Sequence, residues 1–291
     1  MYLKGKSIKN NIPMKTFKNI FAMILFTSFI TLNAQHDAFK VEVFGNGAPV
    51  LLFPGFTCAG EVWDAVVQEL SKNYECHVFT FAGFGGVPAI EKPWLPKIKK
   101  SVFKYVSDQK LENPTLIGHS LGGTLALWMA SENNEFNKII IVDALPSTGA
   151  LMMPNFKSEY IVYNNPYNAQ LLNMDDSSFA KMTIQMAEGM TLNESKKEQI
   201  QKWMQHADRG TYVYGYTDLL KLDLRDSIKN IKVPVTILAA TEPSGEAIVK
   251  QTYLDQYKNL EGYHIKFAAK SAHFIMFDQP EWLLNAIKSE L

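Results

Sequence analysis

From Phe39 onward the chain alternates short apolar runs with stretches of helical spacing. Phe39 to Phe44 alternates apolar and polar positions, turns at Gly45-Asn46-Gly47, and resumes as Pro49-Val50-Leu51-Leu52-Phe53. That pattern predicts a hairpin entering the core. Glu61 to Leu70 puts Trp63, Val66, Val67 and Leu70 on one helical face, Glu75 to Phe81 reads as a strand, and Lys97 to Asp108 reads as a helix. Pro114 to Ile117 is a short buried strand, followed by a helix packed on both sides around Thr124 to Ala130. Further strands are predicted at Lys138 to Val142, Val233 to Ala240 and His264 to Ala269, and Glu281 to Leu291 closes the chain as a helix. Near-continuous apolar strands separated by helices predict an α/β fold: a mostly parallel central sheet with helices on both faces.

The stretch from about residue 146 to 217 breaks this rhythm, since it holds no convincing strand. It reads as an inserted helical lid. Asp175 or Asp176 is expected to cap a helix through Ala187, and Thr191-x-x-Glu194 to form a capping box for a helix through His206. Seven of the twelve methionines lie between Met152 and Met204, and Met182, Met186 and Met190 recur every four residues. Most read as helix packing, because methionine fills gaps readily. If the insertion covers an apolar pocket, Met152, Met182 and Met186 are its candidate substrate-binding side chains.

The first 34 residues stand apart. Lys15 and Lys18 precede the apolar run Ile20 to Leu32, too short to span a bilayer comfortably, and Asn33-Ala34 gives a small-residue exit. Charged start, short apolar stretch and small exit predict a signal peptide cleaved after Ala34, a secreted or periplasmic product, and no membrane attachment after cleavage. Residues 35–291 are then one domain carrying the lid. The leader holds five lysines and no acid, so the remainder has 24 basic residues against 29 acidic. No basic stripe remains for nucleic acid. Cys58 and Cys76, placed at opposite edges of neighbouring parallel strands, are too far apart for a disulfide and read as two buried thiols.

Candidate chemistry centres on Gly118-His119-Ser120-Leu121-Gly122, a G-x-S-x-G between a predicted strand and a predicted helix. A serine on such a turn is held in a strained conformation with its hydroxyl exposed, and the glycines allow close backbone approach. Serine is a weak nucleophile without a base, and six histidines compete for that role. His36 lies at the expected mature terminus, His77 and His264 at strand starts, and His206 in the insertion, while His119 should point away from its neighbouring serine.

With this elbow in place, the chain from about Phe39 to Leu291 resembles the α/β-hydrolase fold. The resemblance implies that His273, in Ser271-Ala272-His273-Phe274 after the last strand, is the base. It implies an oxyanion hole made by the backbone N–H of Leu121 and an N–H from Phe53-Pro54-Gly55-Phe56, for which Phe56 is the choice. Relatives often carry His-Gly where this chain has Pro54-Gly55, and Asp-x-Arg-Gly within the stretch where it has Thr80-Phe81-Ala82-Gly83-Phe84-Gly85. The orienting acid stays open between Asp143, directly after the Lys138 to Val142 strand, and Glu242, after the next strand, with Glu246 more distant.

No cofactor or metal is expected: Gly83-x-Gly85-Gly86 lacks dinucleotide-loop spacing, and no His/Cys cluster has zinc geometry. The resemblance implies a serine hydrolase acting on a small molecule with an acyl group, an ester first. A lactone, an amide or an aminoacyl substrate would use the same machinery, and a non-catalytic binding protein could keep the same fold. The oligomeric state is left open.

Overall fold

The computed structural model describes residues 1, 2 and 34–291. The leader's charged start and apolar run lie outside the described residues, and Ala34, the expected cleavage point, begins the first strand. Among the described residues, eight strands form one sheet: β1 (Ala34–His36), β2 (Phe39–Phe44), β3 (Ala48–Phe53), β4 (Tyr74–Phe81), β5 (Thr115–His119), β6 (Ile139–Val142), β7 (Val235–Ala240) and β8 (His264–Ala268). Their order is β1-β2-β4-β3-β5-β6-β7-β8; β1 and β2 are antiparallel to their neighbours and all others run parallel.

The apolar run Ile139–Val142 explains its own place. All four residues are buried, as parallel strands covered on both faces require. Each contributes about 1.5–3 kcal/mol of apolar burial. Below the sheet's other half, Phe39, Phe53, Phe79, Phe81 and Trp94 pack edge to face or tilted at 4.9–6.2 Å.

The predicted hairpin does not form. β2 and β3 are joined by the glycine turn, but β4 lies between them and pairs with both. Gly45 and Gly47 both have positive φ, and a Cβ on Gly45 would lie 2.2 Å from the Ser71 carbonyl oxygen and 2.4 Å from that of Tyr74. The turn therefore packs against the entrance to β4 and carries the chain past that strand. Local turn chemistry alone could not reveal the intervening partner.

The helices are α1 (Asp64–Leu70, after a 3₁₀ turn Gly60–Trp63), α2 (Trp94–Asp108), α3 (Leu121–Glu132), α4 (Thr148–Met152), α5 (Pro166–Asn173), α6 (Asp176–Glu188), α7 (Glu194–His206), α8 (Arg209–Lys221), α9 (Glu246–Gln256), α10 (Ile275–Asp278) and α11 (Pro280–Lys288). Helices α4 to α8 fill the connection between β6 and β7. Asp175 caps α6 by accepting from the Ser178 N–H. The Thr191–Glu194 capping box does not form: Asn193 caps α7, while the Thr191 hydroxyl donates to Asp278 at 2.5 Å. An acid from the far end of the chain has claimed the threonine.

Strand order reverses at β3, with β4 on one side and β5 on the other. Loops leaving β3 and β5 therefore diverge at the C-terminal edge and open a crevice there. Asp218 of α8 fixes the helical segment to this body: its Oδ2 accepts from the N–H groups of Trp94 (2.6 Å) and Leu95 (3.0 Å), capping α2 from another helix, and Oδ1 accepts from the Tyr163 hydroxyl.

Candidate active site

Ser120 sits between β5 and α3 with φ 52° and ψ −120°, a region that costs a non-glycine residue about 1–3 kcal/mol. Its N–H donates to the Val142 carbonyl (2.9 Å), and its carbonyl accepts from Thr124 (3.0 Å). The flanking glycines are required by contact: a Cβ at Gly118 would lie 2.2 Å from the Gly122 oxygen, and one at Gly122 would lie 2.4 Å from the Phe53 oxygen. Leu121 opens α3, so its N–H is one of the donors that helical geometry leaves without an intrahelical acceptor.

His273 follows β8, and its Nδ1 lies 2.6 Å from Asp143 Oδ2. A carboxylate can only accept, so the Nδ1 proton is fixed and Nε2 is left as the free ring nitrogen. Asp143 stands directly after β6 with φ 45°. Its Oδ1 accepts from the Ala240 N–H (2.9 Å) and the Tyr253 hydroxyl (3.0 Å). Three directed bonds hold this acid. Glu242 accepts only a 3.4 Å contact from the Thr241 hydroxyl, and Glu246 is exposed at the start of α9. The structure thus brings Asp143 to the imidazole, and Glu242 stays apart from it. Ser120 and His273 line the same cavity, though no hydrogen bond joins them.

His119 is closer to this chemistry than its place in the motif suggests. Its buried ring lies 4.7 Å from that of His273, and Nε2 is 3.0 Å from the His273 carbonyl oxygen, which makes Nε2 the donor. Nδ1 is buried without a partner among the described residues, against Gly55, where a Cβ would come within 2.7 Å. Burial first, and the neighbouring His273 second, push its pKa down to about 3. It is therefore a neutral donor that fixes the backbone of the histidine loop. His77 lies within β4 rather than at its start, buried, with Nδ1 2.7 Å from the Tyr105 hydroxyl. Cys58 and Cys76 are buried free thiols, and burial pushes the Cys76 pKa up to about 12.

The cavity above Ser120 has a volume of about 590 Å³. Loop residues Gly55 to Cys58 and the α5 to α9 region line it. Met186 lines it, together with Met190 and Met204; the predicted Met152 and Met182 do not. Met152 is exposed and its sulfur accepts from the Tyr216 hydroxyl at 3.3 Å, while Met182 packs partly buried against the core. The i, i+4, i+8 spacing runs out because α6 ends at Glu188, so Met190 leaves the helix. Tyr212 and Tyr216 of α8 and Tyr253 of α9 line the cavity without having been anticipated. The alternation Tyr212-Val213-Tyr214-Gly215-Tyr216 mimics a strand and hides the shared face one helical turn apart.

Among the described residues, no group of three or more His, Cys, Asp or Glu side chains is placed to hold a metal, and no helix is long and apolar enough to cross a membrane.

The sequence profile of the alpha/beta hydrolase family matches residues 50–286. This chain belongs to the alpha/beta hydrolase family. Its sheet order, the elbow and the late histidine agree with that placement. Among characterised relatives, the bifunctional biotin biosynthesis protein BioHC of Cellvibrio japonicus is 23% identical over 82% of this chain and 47% of its own length. The chain therefore spans about half of that protein. The pimeloyl-[acyl-carrier protein] methyl ester esterase of Vibrio cholerae is 23% identical over 67% of this chain and 75% of its own. The 3-oxoadipate enol-lactonase 1 of Acinetobacter baylyi is 21% identical over 87% and 93%. Among solved structures, an enol-lactonase of Burkholderia xenovorans superposes with a TM-score of 0.73 at 14% identity, covering 86% of this chain and 95% of that one. An esterase of Exiguobacterium antarcticum gives 0.72 at 17% identity, with 87% and 94% covered. The chain thus has relatives named as esterases and as enol-lactonases.

Proposed function

We propose that this hydrolase cleaves carboxylic esters through an acyl-serine at Ser120. The observation carrying the proposal is the pair His273–Asp143, set at 2.6 Å on the wall of the cavity that also receives the strained Ser120. Ser120 Oγ attacks the carbonyl carbon while His273 Nε2 takes its proton. The carbonyl π electrons move to oxygen, and that oxyanion is held by the N–H groups of Leu121 and Phe56. Collapse breaks the carbon–alkoxy bond, and the alcohol leaves with the proton from Nε2. Water, deprotonated by the same nitrogen, then attacks the acyl-serine, and the second collapse returns the proton to Ser120 and frees the acid. Asp143 holds the ring in the productive tautomer and balances the imidazolium. The Ser120–His273 hydrogen bond is expected to form on substrate binding, as such bonds often tighten only in the complex.

Lactone opening follows the same steps with the alcohol still tethered. The enol-lactonase relatives favour it as the second reading. Amide or aminoacyl cleavage, and a non-catalytic binder, are the remaining alternatives. Fluorophosphonate labelling of folded protein that is lost in Ser120→Ala supports the enzyme; no label on the wild type supports the binder. Short p-nitrophenyl esters assayed against aminoacyl anilides separate esterase from aminopeptidase. Asp143→Asn should lower kcat by about 10⁴-fold, the size of the effect in the well-studied serine-protease triad, while Glu242→Gln should not. The same proposal places the enzyme outside the cytoplasm, on the strength of Lys15, Lys18 and the short apolar run before Ala34. N-terminal sequencing of the exported product should read Gln35 first.

A further inference from the structure

The cavity's polar groups are distributed in a way that specifies its ligand. Among the described residues that line it, none is lysine or arginine. Of the helical segment's cations, Lys157 lies against Tyr160, a lining residue, and two others are engaged away from the cavity. Arg209 donates to the carbonyls of Leu171 and Met174 and lies over the Phe179 ring, and Lys197 pairs with Glu188 and Glu194. The lining's carboxylates are Asp143, whose oxygens are consumed, and Glu242, which is half-buried and has only the long contact from Thr241.

Two phenols complete the picture. Tyr212 and Tyr216 stand one turn apart on α8, both packed against Phe56 at 5.6 and 5.4 Å between ring centroids. They therefore lie on the oxyanion-loop side of the cavity. Their hydroxyls reach only thioethers, Met186 at 3.5 Å and Met152 at 3.3 Å. A thioether is a weak acceptor, so each O–H donor still gains from an oxygen partner; Tyr212 is buried, whereas Tyr216 is half-buried and its contact with Met152 is exposed. Burial keeps both phenols protonated, with the Tyr212 pKa pushed up to about 12.

We propose that the substrate is an uncharged ester bearing a second neutral oxygen acceptor, such as a ketone or ether oxygen, which takes hydrogen bonds from Tyr212 and Tyr216, and that Glu242 turns away esters bearing a carboxylate. This rests on the ester-hydrolase reading. An anionic arm entering this cavity would leave water, meet no lysine or arginine in the lining and face the Glu242 carboxylate. Exclusion of the wrong substrate by an unpaired like charge is an effective route to specificity.

Three p-nitrophenyl esters of matched length test it on the full chain: hexanoate, 5-oxohexanoate and the monoester of glutarate. The wild type should prefer the oxo ester over hexanoate in kcat/KM by about three- to tenfold, the range of one or two neutral hydrogen bonds. The glutarate monoester should fall below hexanoate by on the order of tenfold or more. Tyr212→Phe and Tyr216→Phe should erase the oxo-to-hexanoate ratio, and Glu242→Gln should raise the glutarate-to-hexanoate ratio by about tenfold. Circular dichroism checks that each variant is folded. Equal rates for oxo ester and hexanoate, or a glutarate monoester as fast as hexanoate, overturn the inference and leave the esterase intact. If the wild type turns over none of the three and takes no fluorophosphonate label, the underlying reading falls, and this inference with it.

Discussion

Asp278 offers the sharpest test of how the helical segment and the histidine loop are joined. It ends α10, five residues after His273. Its Oδ1 accepts from the Thr191 hydroxyl (2.5 Å) and the N–H groups of Leu192 (2.9 Å) and Asn193 (3.1 Å), and its Oδ2 accepts from the Ala272 N–H (2.8 Å). A neighbouring bond, Phe274 N–H to the Met190 carbonyl at 3.0 Å, joins the same two segments in the opposite direction. Truncation by Asp278→Ala strands these donors unequally. Leu192 is exposed and recovers its bond from water, whereas Thr191 and Ala272 are 1% and 2% exposed. Two buried donors left without acceptors cost about 1–3 kcal/mol each, so the variant should lose about 2–6 kcal/mol. Asp278→Asn keeps one acceptor oxygen and presents an NH₂ to the other donor, and should lose about half as much. Urea unfolding reads this directly. Because Ala272 precedes His273, loosening it should also lower kcat in the folded population while KM changes little. A clamp that were only structural would move the unfolding midpoint and leave kcat alone. If Asp278→Ala keeps both its midpoint and its kcat, the reasoning fails at its base.

Three further outcomes follow from other contacts. Asp218→Ala removes the acceptor shared by the buried N–H groups of Trp94 and Leu95 and the Tyr163 hydroxyl, and should cost about 2–5 kcal/mol in urea unfolding; a cost within 0.5 kcal/mol, about the size of a neutral surface change, refutes the capping role. At Ser120 the substitution by glycine should be more stable than that by alanine by about 1 kcal/mol, since relief of the positive-φ strain (about 1–3 kcal/mol) exceeds glycine's extra unfolded-state entropy (about 0.4–1 kcal/mol). His119 binds no proton in the folded state until about pH 3, whereas the unfolded chain takes one near pH 6.5. Stability should therefore fall as pH drops through that window, by about 1.4 kcal/mol per unit from this group, and His119→Gln should flatten the slope by that amount between about pH 6 and pH 4.5.

What the sequence made legible was local. The elbow could be read because Gly118 is demanded by a contact four residues on, with Gly122, although Gly122 itself packs against Phe53 of β3, and because β5 and α3 announce themselves as continuous apolar runs. Continuous burial made β6 and β7 readable for the same reason. Long-range competition was not legible. The Gly45–Gly47 turn looks like a hairpin until β4 is known to occupy the space, and Thr191 looks like a cap until Asp278 arrives from 87 positions away. The cavity-facing tyrosines of α8 belong to this second kind, since only the folded helix shows which ring faces inward.

The acid shows how far such competition reaches. Counting strands alone favours Glu242, because β7 is the direct neighbour of β8, whereas Asp143 leaves β6, one strand further from His273. Yet the geometry reverses that order. The positive φ at Asp143 swings its side chain over the end of β7, where the Ala240 N–H and the Tyr253 hydroxyl receive it. Ala240 is the last residue of β7, and its small side chain suits a carboxylate crossing directly above it. Tyr253 comes from α9, so the helix that follows β7 supplies the second anchor. Glu242 lies two residues beyond the strand end, where its carboxylate meets only Thr241 and the cavity. A carboxylate already held by two donors meets the imidazole with little further ordering cost, whereas a longer, untethered glutamate would have to give up about 1.5–2 kcal/mol of side-chain freedom to do the same. Pre-ordering by Ala240 and Tyr253, more than proximity in the sheet, is what brings Asp143 to the imidazole and leaves Glu242 apart from it at the cavity wall.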